Sequence, residues 1–420
     1  MMASRTKHKA RFNMGVPWLL IINVNRVRFG AAHLARSFGW AMTDLLLAWH
    51  LHTVVGLSGA ATSALMMVLL LIGALANIVV GYGLASVRTV ASSYLRLQLL
   101  GAVMTAVTLA AQFLLREPTA VVATAVLFRL AFAMQDVPQS ALGSLLAIDD
   151  EDANGYARLR VTLSGCSRIA AILLHLLLLR IGSPSWAMVA LSMIGGSLVL
   201  SSVGLFGVRF PPVVMNPVER LRASSLPNGL PRLLCAFAIS AALLPTVNRL
   251  LIFTPATDAS VQDIGSWLLA VFYCGAVAGP VVQRRISAGR NERLVWVMTI
   301  ASAAISGILL VGATSYVFIV AAAVHGAALS MIGANLWAGA ARIAMADAHS
   351  GPRRDGLVAG AVILTTHLSM ALGSLMLAPL IEGYEAADPR AAFSATLVVC
   401  VGALAIMPLV VRQRTAPATA

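Results

Sequence analysis

Apolar stretches of about twenty residues recur along the whole of this chain, and nothing else in the sequence constrains the fold so strongly. Each is long enough to cross a hydrocarbon core of roughly 30 Å as a helix. No water is present at that depth, so backbone donors and acceptors must be satisfied within the segment, and each run must be helical. Counting the runs between charged or Pro/Gly-rich breaks gives twelve spans, near 33–54, 60–84, 92–115, 121–146, 161–180, 186–208, 232–253, 265–283, 294–312, 316–341, 357–380 and 391–411. Composition agrees: 59% of the 420 residues are hydrophobic, 11% are charged, and mean hydropathy is +0.86. The expected class is an all-α polytopic membrane protein.

The longest polar break, RFPPVVMNPVERLRASSLPNGLPR over 209–232, divides the spans six and six. The expected organisation is a cytoplasmic lead-in over 1–32, a six-helix bundle over 33–208, a cytoplasmic linker over 209–232, a second six-helix bundle over 233–411, and a tail over 412–420. The lead-in carries Lys7, Lys9 and Arg11 before a short apolar stretch at 16–24, but Arg26 and Arg28 follow it and no small-residue cleavage site does. It reads as an uncleaved, surface-lying approach to the first span. Basic residues crowd the loops that share a side with the N-terminus, which places both termini in the cytoplasm of a bacterial inner membrane. Two six-helix halves around a midplane cavity resemble the major facilitator arrangement.

The formal net charge of +14 does not indicate nucleic acid, because the positive residues sit at span ends and no soluble domain presents a basic face. The four cysteines are scattered singly without metal spacing and read as packing residues. Nor is there a phosphate-cradling glycine loop, a metal-spaced cluster, or a nucleophile with a base beside it. The expectation is a non-enzyme without cofactor or metal, working as a monomer in the lipid bilayer.

Chemistry concentrates in span 4. Arg129 and Asp136 lie inside a run that otherwise belongs in hydrocarbon, seven residues apart and so on one helical face, with Pro138 interrupting the ladder two residues later. A charge at mid-bilayer costs roughly 2.5–3.5 kcal/mol on insertion scales, so such residues mark a pathway, a proton relay or a buried pair. Whether Arg129 pairs with Asp136 or with a ligand stays open on sequence alone. In span 1, His33, Ser37, Trp40 and Asp44 form one polar stripe that points into the bundle, beside Arg36. Span 2 carries Asn77 among Gly73, Gly81 and Gly83, spacings that permit close helix packing. The acidic run from Asp149 to Asp152, with Arg158 and Arg160 behind it, reads as a loop able to form a gating salt bridge. Arg168 lies two turns into span 5, within conceivable reach of Asp136. Trp337 in span 10 and His367 in span 11 supply the polar and aromatic content of the second half, histidine being the side chain that titrates near physiological pH.

Four stretches carry a closer resemblance: VPQSALGSLLAIDDEDANGYARLR after Asp136, ARSFGWAMTDLLLAWHLHTVVGLS over 35–58, QRRISAGR over 283–290, and RRDGLVAGAVILTTHL over 353–368 with the preceding Met345, Ala346 and Asp347. They resemble the glycoside–pentoside–hexuronide:cation symporters, the melibiose permease-like family. That resemblance implies a major facilitator fold, a sugar-class solute and a coupling cation bound near Asp136. The departures are as informative. Positions matching the family's two cation-site carboxylates of the second helix read Gly73 and Asn77, the sugar-contacting aspartate of the first helix reads Ser37, and the cavity lysine of span 11 reads His367. A lone aspartate with a titratable histidine suits a proton better than sodium.

The expectation is therefore a secondary active transporter of a small polar solute (sugar, glycoside, uronate or organic anion) working by alternating access in proton symport. Asp136, His367 and Asn77 would serve coupling. Ser37, Trp40, Asp44, Arg129, Arg168 and Trp337 would bind substrate, and Asp149, Asp152, Arg158 and Arg160 would gate. Two alternatives stay in view: a proton-driven exporter of amphiphilic compounds, distinguished by the sign of cellular accumulation, and a non-transporting scaffold or sensor that has lost its coupling residues.

Overall fold

The apolar runs fold as helices. The structure, a computed structural model, describes residues 16–86, 91–181, 184–211, 227–242, 262–285, 315–350 and 354–374. Among these residues there is no strand and there are ten α-helices: α1 (Val16–Trp49), α2 (Gly59–Ser86), α3 (Ala91–Leu114), α4 (Pro118–Leu146), α5 (Asp150–Ile181), α6 (Pro184–Gly204), α7 (Leu230–Ala242), α8 (Gln262–Arg284), α9 (Ser315–Ser350) and α10 (Asp355–Ser374). The spans expected at 294–312 and 391–411, the middle of the linker, most of the second half of span 7 and the C-terminal tail lie outside the described residues. Six helices, α2 to α6 and α10, are long and apolar enough to cross a membrane. Large apolar side chains face outward from them, among them Leu200 at 73% exposure and Val79 at 69%. A contiguous apolar exterior of this kind belongs in lipid. The chain is a multi-pass membrane protein.

Two expected boundaries are corrected. The lead-in does not lie apart from the first span: α1 runs unbroken for 34 residues, so the anticipated start at 33 falls mid-helix. Pro17 sits in the first turn, where its missing N–H costs nothing, and no further proline follows. The polar residues of this extension find partners instead of water. Asn25 exchanges hydrogen bonds with the backbone of Arg209, at 2.6 and 3.1 Å, and Arg26 pairs with Asp152 at 2.5 Å. Likewise, the acidic run is not a loop. Asp150, Glu151 and Asp152 form the first turn of α5, where three negative charges meet the positive end of the helix dipole. Asp149 accepts from the Asp152 backbone N–H at 2.8 Å, as an N-cap does.

α1 ends in a π-turn over His50–Val54, and Gly56, at φ 81°, reverses the chain into α2. A left-handed residue at this point is why the turn carries glycine.

The two halves meet along α2–α10 and α5–α8. In the twelve-span count, α8 is span 8 and α10 is span 11. The two junctions therefore exchange when span n is rotated onto span n+6, the relation expected of parallel six-helix repeats. The α2–α10 contact is made backbone to backbone. A Cβ added at Gly81 would stand 2.7 Å from the Gly356 carbonyl oxygen, and one at Gly360 would stand 2.9 Å from the Asn77 carbonyl oxygen. Small residues let helices approach this closely without the hydrophobic effect that drives packing in water.

Candidate functional site

Between the halves lies a cavity of about 270 Å³, walled by α1, α4 and α5 on one side and by α8, α9 and α10 on the other. Among the described residues lining it, Asp136 is the only carboxylate, and its partner is Arg36 of α1. Both side chains are buried, at 9% and 6% exposure, and Ser140 Oγ donates to the same Asp136 oxygen at 3.1 Å. In low dielectric a charge persists only when paired and hydrogen-bonded, which this aspartate is. Pro138, two residues on, removes the N–H that would bond the Met134 carbonyl and so loosens α4 beside its charge.

The pair continues into a chain of hydrogen bonds. Arg36 Nη2 donates to His33 Nδ1 at 3.0 Å. Arginine has no acceptor, so this imidazole accepts at Nδ1 and carries its proton on Nε2. That nitrogen faces Ser164 Oγ of α5 at 2.9 Å and Ser37 Oγ at 3.1 Å. A connected path therefore runs from Asp136 through Arg36 and His33 to Ser164.

Arg129 does not join it. It is 1% exposed, sits behind the cavity wall with its guanidinium 4.7 Å from the Trp40 ring, and reaches toward α2 where Gly73 leaves room. A Cβ at Gly73 would lie 3.6 Å from Arg129 Cδ and 3.4 Å from His367 Nδ1. His367 stacks on Trp40, centroids 4.7 Å apart and planes within 4°. Asn77 Nδ2 donates to the Gly73 carbonyl at 2.6 Å and to His367 Nδ1 at 3.2 Å, which leaves this imidazole an acceptor at Nδ1. Asp44 is buried one turn beyond Trp40, and its charge, like that of Arg129, acts on His367. Of the expected substrate residues, then, Ser37, Trp40, Arg168 and Trp337 line the cavity together with His367, whereas Arg129 and Asp44 do not. Asn77 is one step removed, behind the histidine.

The expected gate is corrected more thoroughly. Asp149 is a helix cap, and Asp152 is drawn to Arg26 of α1 rather than to Arg158 or Arg160. Once the acidic run becomes helical, Asp152 and the two arginines lie at different heights and azimuths on α5. Arg160 turns inward, its guanidinium 3.4 Å from the Trp337 ring of α9, and Arg168 lies 5.4 Å from the Tyr273 ring of α8. Arg168 does not pair with Asp136. At the end of the bundle where α4 meets α5, the halves are instead tied by Ser144 donating to Asp355 at 2.5 Å and Arg342 donating to Asn154 at 3.2 Å. Arg354 holds Asp347 through two bonds of 2.7 and 2.5 Å, and those hydrogen bonds raise its pKa above the ordinary arginine value.

The sequence placed Arg36 beside the span 1 stripe without a site role, and Ser164, Phe272 and Tyr273 were left out. Arg36 was visible: steps of three and four place 33, 36 and 40 on a common face as well as 33, 37 and 40. The aromatic pair in α8 gave no such signal, because an aromatic dipeptide in an apolar span is indistinguishable from packing.

No family model matches the sequence, and no curated protein matches it. Solved structures do. The major facilitator transporter FucP, in its outward conformation, superposes with a TM-score of 0.65 at 12% identity, over 93% of this chain and 98% of its own. The proton:xylose symporter XylE gives 0.66 at 12% identity, over 93% and 95%. The human organic anion transporter MFSD10 gives 0.59 at 13%, over 94% and 100%. This is the major facilitator fold. The fold has two six-helix halves along the chain.

Proposed function

We propose that the protein is a secondary active transporter that moves a small polar solute by alternating access, in symport with protons, across a bacterial inner membrane with both termini cytoplasmic. The bodies that rock would be the halves 33–208 and 233–411, α1 extending the first of them, and the working unit a monomer. The observation that carries this reading is the Asp136–Arg36 pair, a buried ion pair at the wall of a cavity between two halves. Of the structural neighbours, XylE and the E. coli fucose:proton symporter FucP bear proton symport in their names, which supports the reading.

Asp136 would take the coupling proton. Neutralising it removes the charge that holds Arg36, and Arg36 is bonded through His33 to Ser164 on the neighbouring helix α5. Occupancy of the proton site is thereby communicated to the helix that carries Arg160 and Arg168. His367 would respond in turn, since protonating Nδ1 breaks its bond from Asn77. A melibiose permease-like kinship is supported by the convergence of its two sequence signatures, Asp136 and His367, on one cavity. Sodium coupling is disfavoured: a hard cation requires several oxygen ligands, and the space beside Gly73 is taken by the Arg129 side chain and the His367 ring.

The test is solute accumulation in proteoliposomes under imposed gradients. A proton gradient should drive uptake with sodium absent, and Asp136→Asn should abolish concentrative uptake while leaving exchange of solute across the membrane. Uptake that needs sodium, or that survives Asp136→Asn undiminished, overturns the proposal.

A further inference from the structure

Among the described residues, the cavity walls carry three guanidinium groups, Arg36, Arg160 and Arg168, against the single carboxylate of Asp136, which Arg36 already neutralises. Two positive charges remain. Arg160 is 9% exposed, and neither it nor Arg168 has an ion-pair partner among the described residues; Arg168 Nε is buried without a hydrogen bond. A buried cation without an anion is costly, so Arg160 marks a place where an anion is missing, and the half-buried Arg168 in the same cavity supplies a second positive charge. The two are not scattered. Residues 160, 164 and 168 form one stripe of α5, with Ser164 between the arginines and about 12 Å of helix separating their Cα atoms. Each guanidinium stands against an aromatic ring of the opposite half, Trp337 and Tyr273, and Phe132 and Trp40 line the same cavity.

Two cations and several aromatic rings lining one cavity describe their ligand. The geometry points to a small, flat organic dianion as the solute, its acid groups taken by Arg160 and Arg168 and its body held between rings. This rests on the proposed reading of the cavity as the solute site and narrows it. Guanidinium suits the task because its fork matches a carboxylate bidentately while its face stacks on aromatics. A volume of about 270 Å³ lies at the small end of ligand pockets, which run from roughly 300 to 1,000 Å³, and it sets the size at one or two rings. Release of the dianion by one half of the molecule is also built in, because each acid group contacts a ring of the other half and loses that wall when the halves separate.

The test is calorimetric titration of the full-length protein in lipid nanodiscs, with no gradient, using terephthalate, benzoate, succinate and terephthalamide. Terephthalate should bind most tightly: benzoate lacks the second charge, succinate the flat body, and the amide both charges. Arg160→Gln and Arg168→Gln should each weaken terephthalate about tenfold or more and bring it level with benzoate. Arg168→Lys should restore part of the preference, and unchanged melting temperatures show that these variants remain folded. Equal binding of terephthalamide, an unchanged terephthalate-to-benzoate ratio in both glutamine variants, or no binding by any dianion overturns the assignment. Binding without proton-driven uptake would overturn the transport reading and leave this one standing.

Discussion

At the scale of single residues, the neighbouring helix decides who pairs with whom. Arg129 and Asp136 share a face about 10.5 Å apart along the axis, yet each meets a neighbouring helix rather than the other. Each takes the partner at its own depth: Arg36 for Asp136, and the face of Trp40 for Arg129. That Asp136 needs a partner was legible, because an aspartate in an apolar run is expensive. Its partner was not, because pairing across helices depends on relative depth and rotation, which one sequence does not state. The pair predicts a non-additive stability pattern. Arg36→Gln alone strands a buried carboxylate and should cost about 3–5 kcal/mol, seen as a lower melting temperature in detergent. Adding Asp136→Asn should recover most of that loss, since two neutral groups of similar shape replace the ions, yet leave proton-driven uptake abolished. A double variant no more stable than Arg36→Gln would mean that the pair is not the unit described.

Helices were legible as elements and their ends were not. A run of apolar residues announces a span, but a polar flank continues the helix when it finds partners, as Asn25 and Arg26 do and as the acidic turn of α5 does at the dipole. Packing between elements gives a paired prediction. Gly81→Leu drives a side chain into the backbone of α10 and should cost about 1–3 kcal/mol of stability. Gly83→Leu, where an added Cβ meets nothing within 4 Å, should change the melting temperature little. A pH dependence belongs to the start of α4. Glu117 caps that helix, and hydrogen bonds from the Thr119 hydroxyl and the Ala120 and Thr119 backbone N–H groups hold its carboxyl below the ordinary range. A depressed folded-state value means the stabilisation is present above the unfolded value and is lost as pH falls through the folded one. Glu117→Gln should therefore lower the melting temperature at neutral pH, and the difference from the parent protein should close on acidification.

For the whole molecule, six spans and six spans around a cavity could be read from hydrophobic runs and one Pro/Arg-rich break, and the solved neighbours share that fold. What could not be read was which residues tie the halves together, since those ties are single contacts between distant parts of the chain. Ser144 and Asp355 supply one. In a background without the native cysteines, Ser144→Cys with Asp355→Cys should form a disulfide that stops uptake, and reduction should restore it. Uptake that continues at full rate with the disulfide formed would show that this end of the bundle does not open.

The two unbalanced guanidiniums on α5 have an electrical consequence. An empty carrier with two uncompensated positive charges in its moving cavity feels the membrane voltage when it reorients. Each elementary charge crossing the full field is worth about 2.3 kcal/mol per 100 mV. A bound dianion cancels both charges, so the loaded carrier moves only the single positive charge left by the coupling proton on Asp136. We expect transient currents on supported membranes to be largest without solute and to shrink as solute saturates the site. The opposite ordering would mean that the charge moves with the cargo rather than with the carrier. On this scheme membrane potential sets how quickly the empty protein turns back, and so the rate of the whole cycle, without touching its affinity.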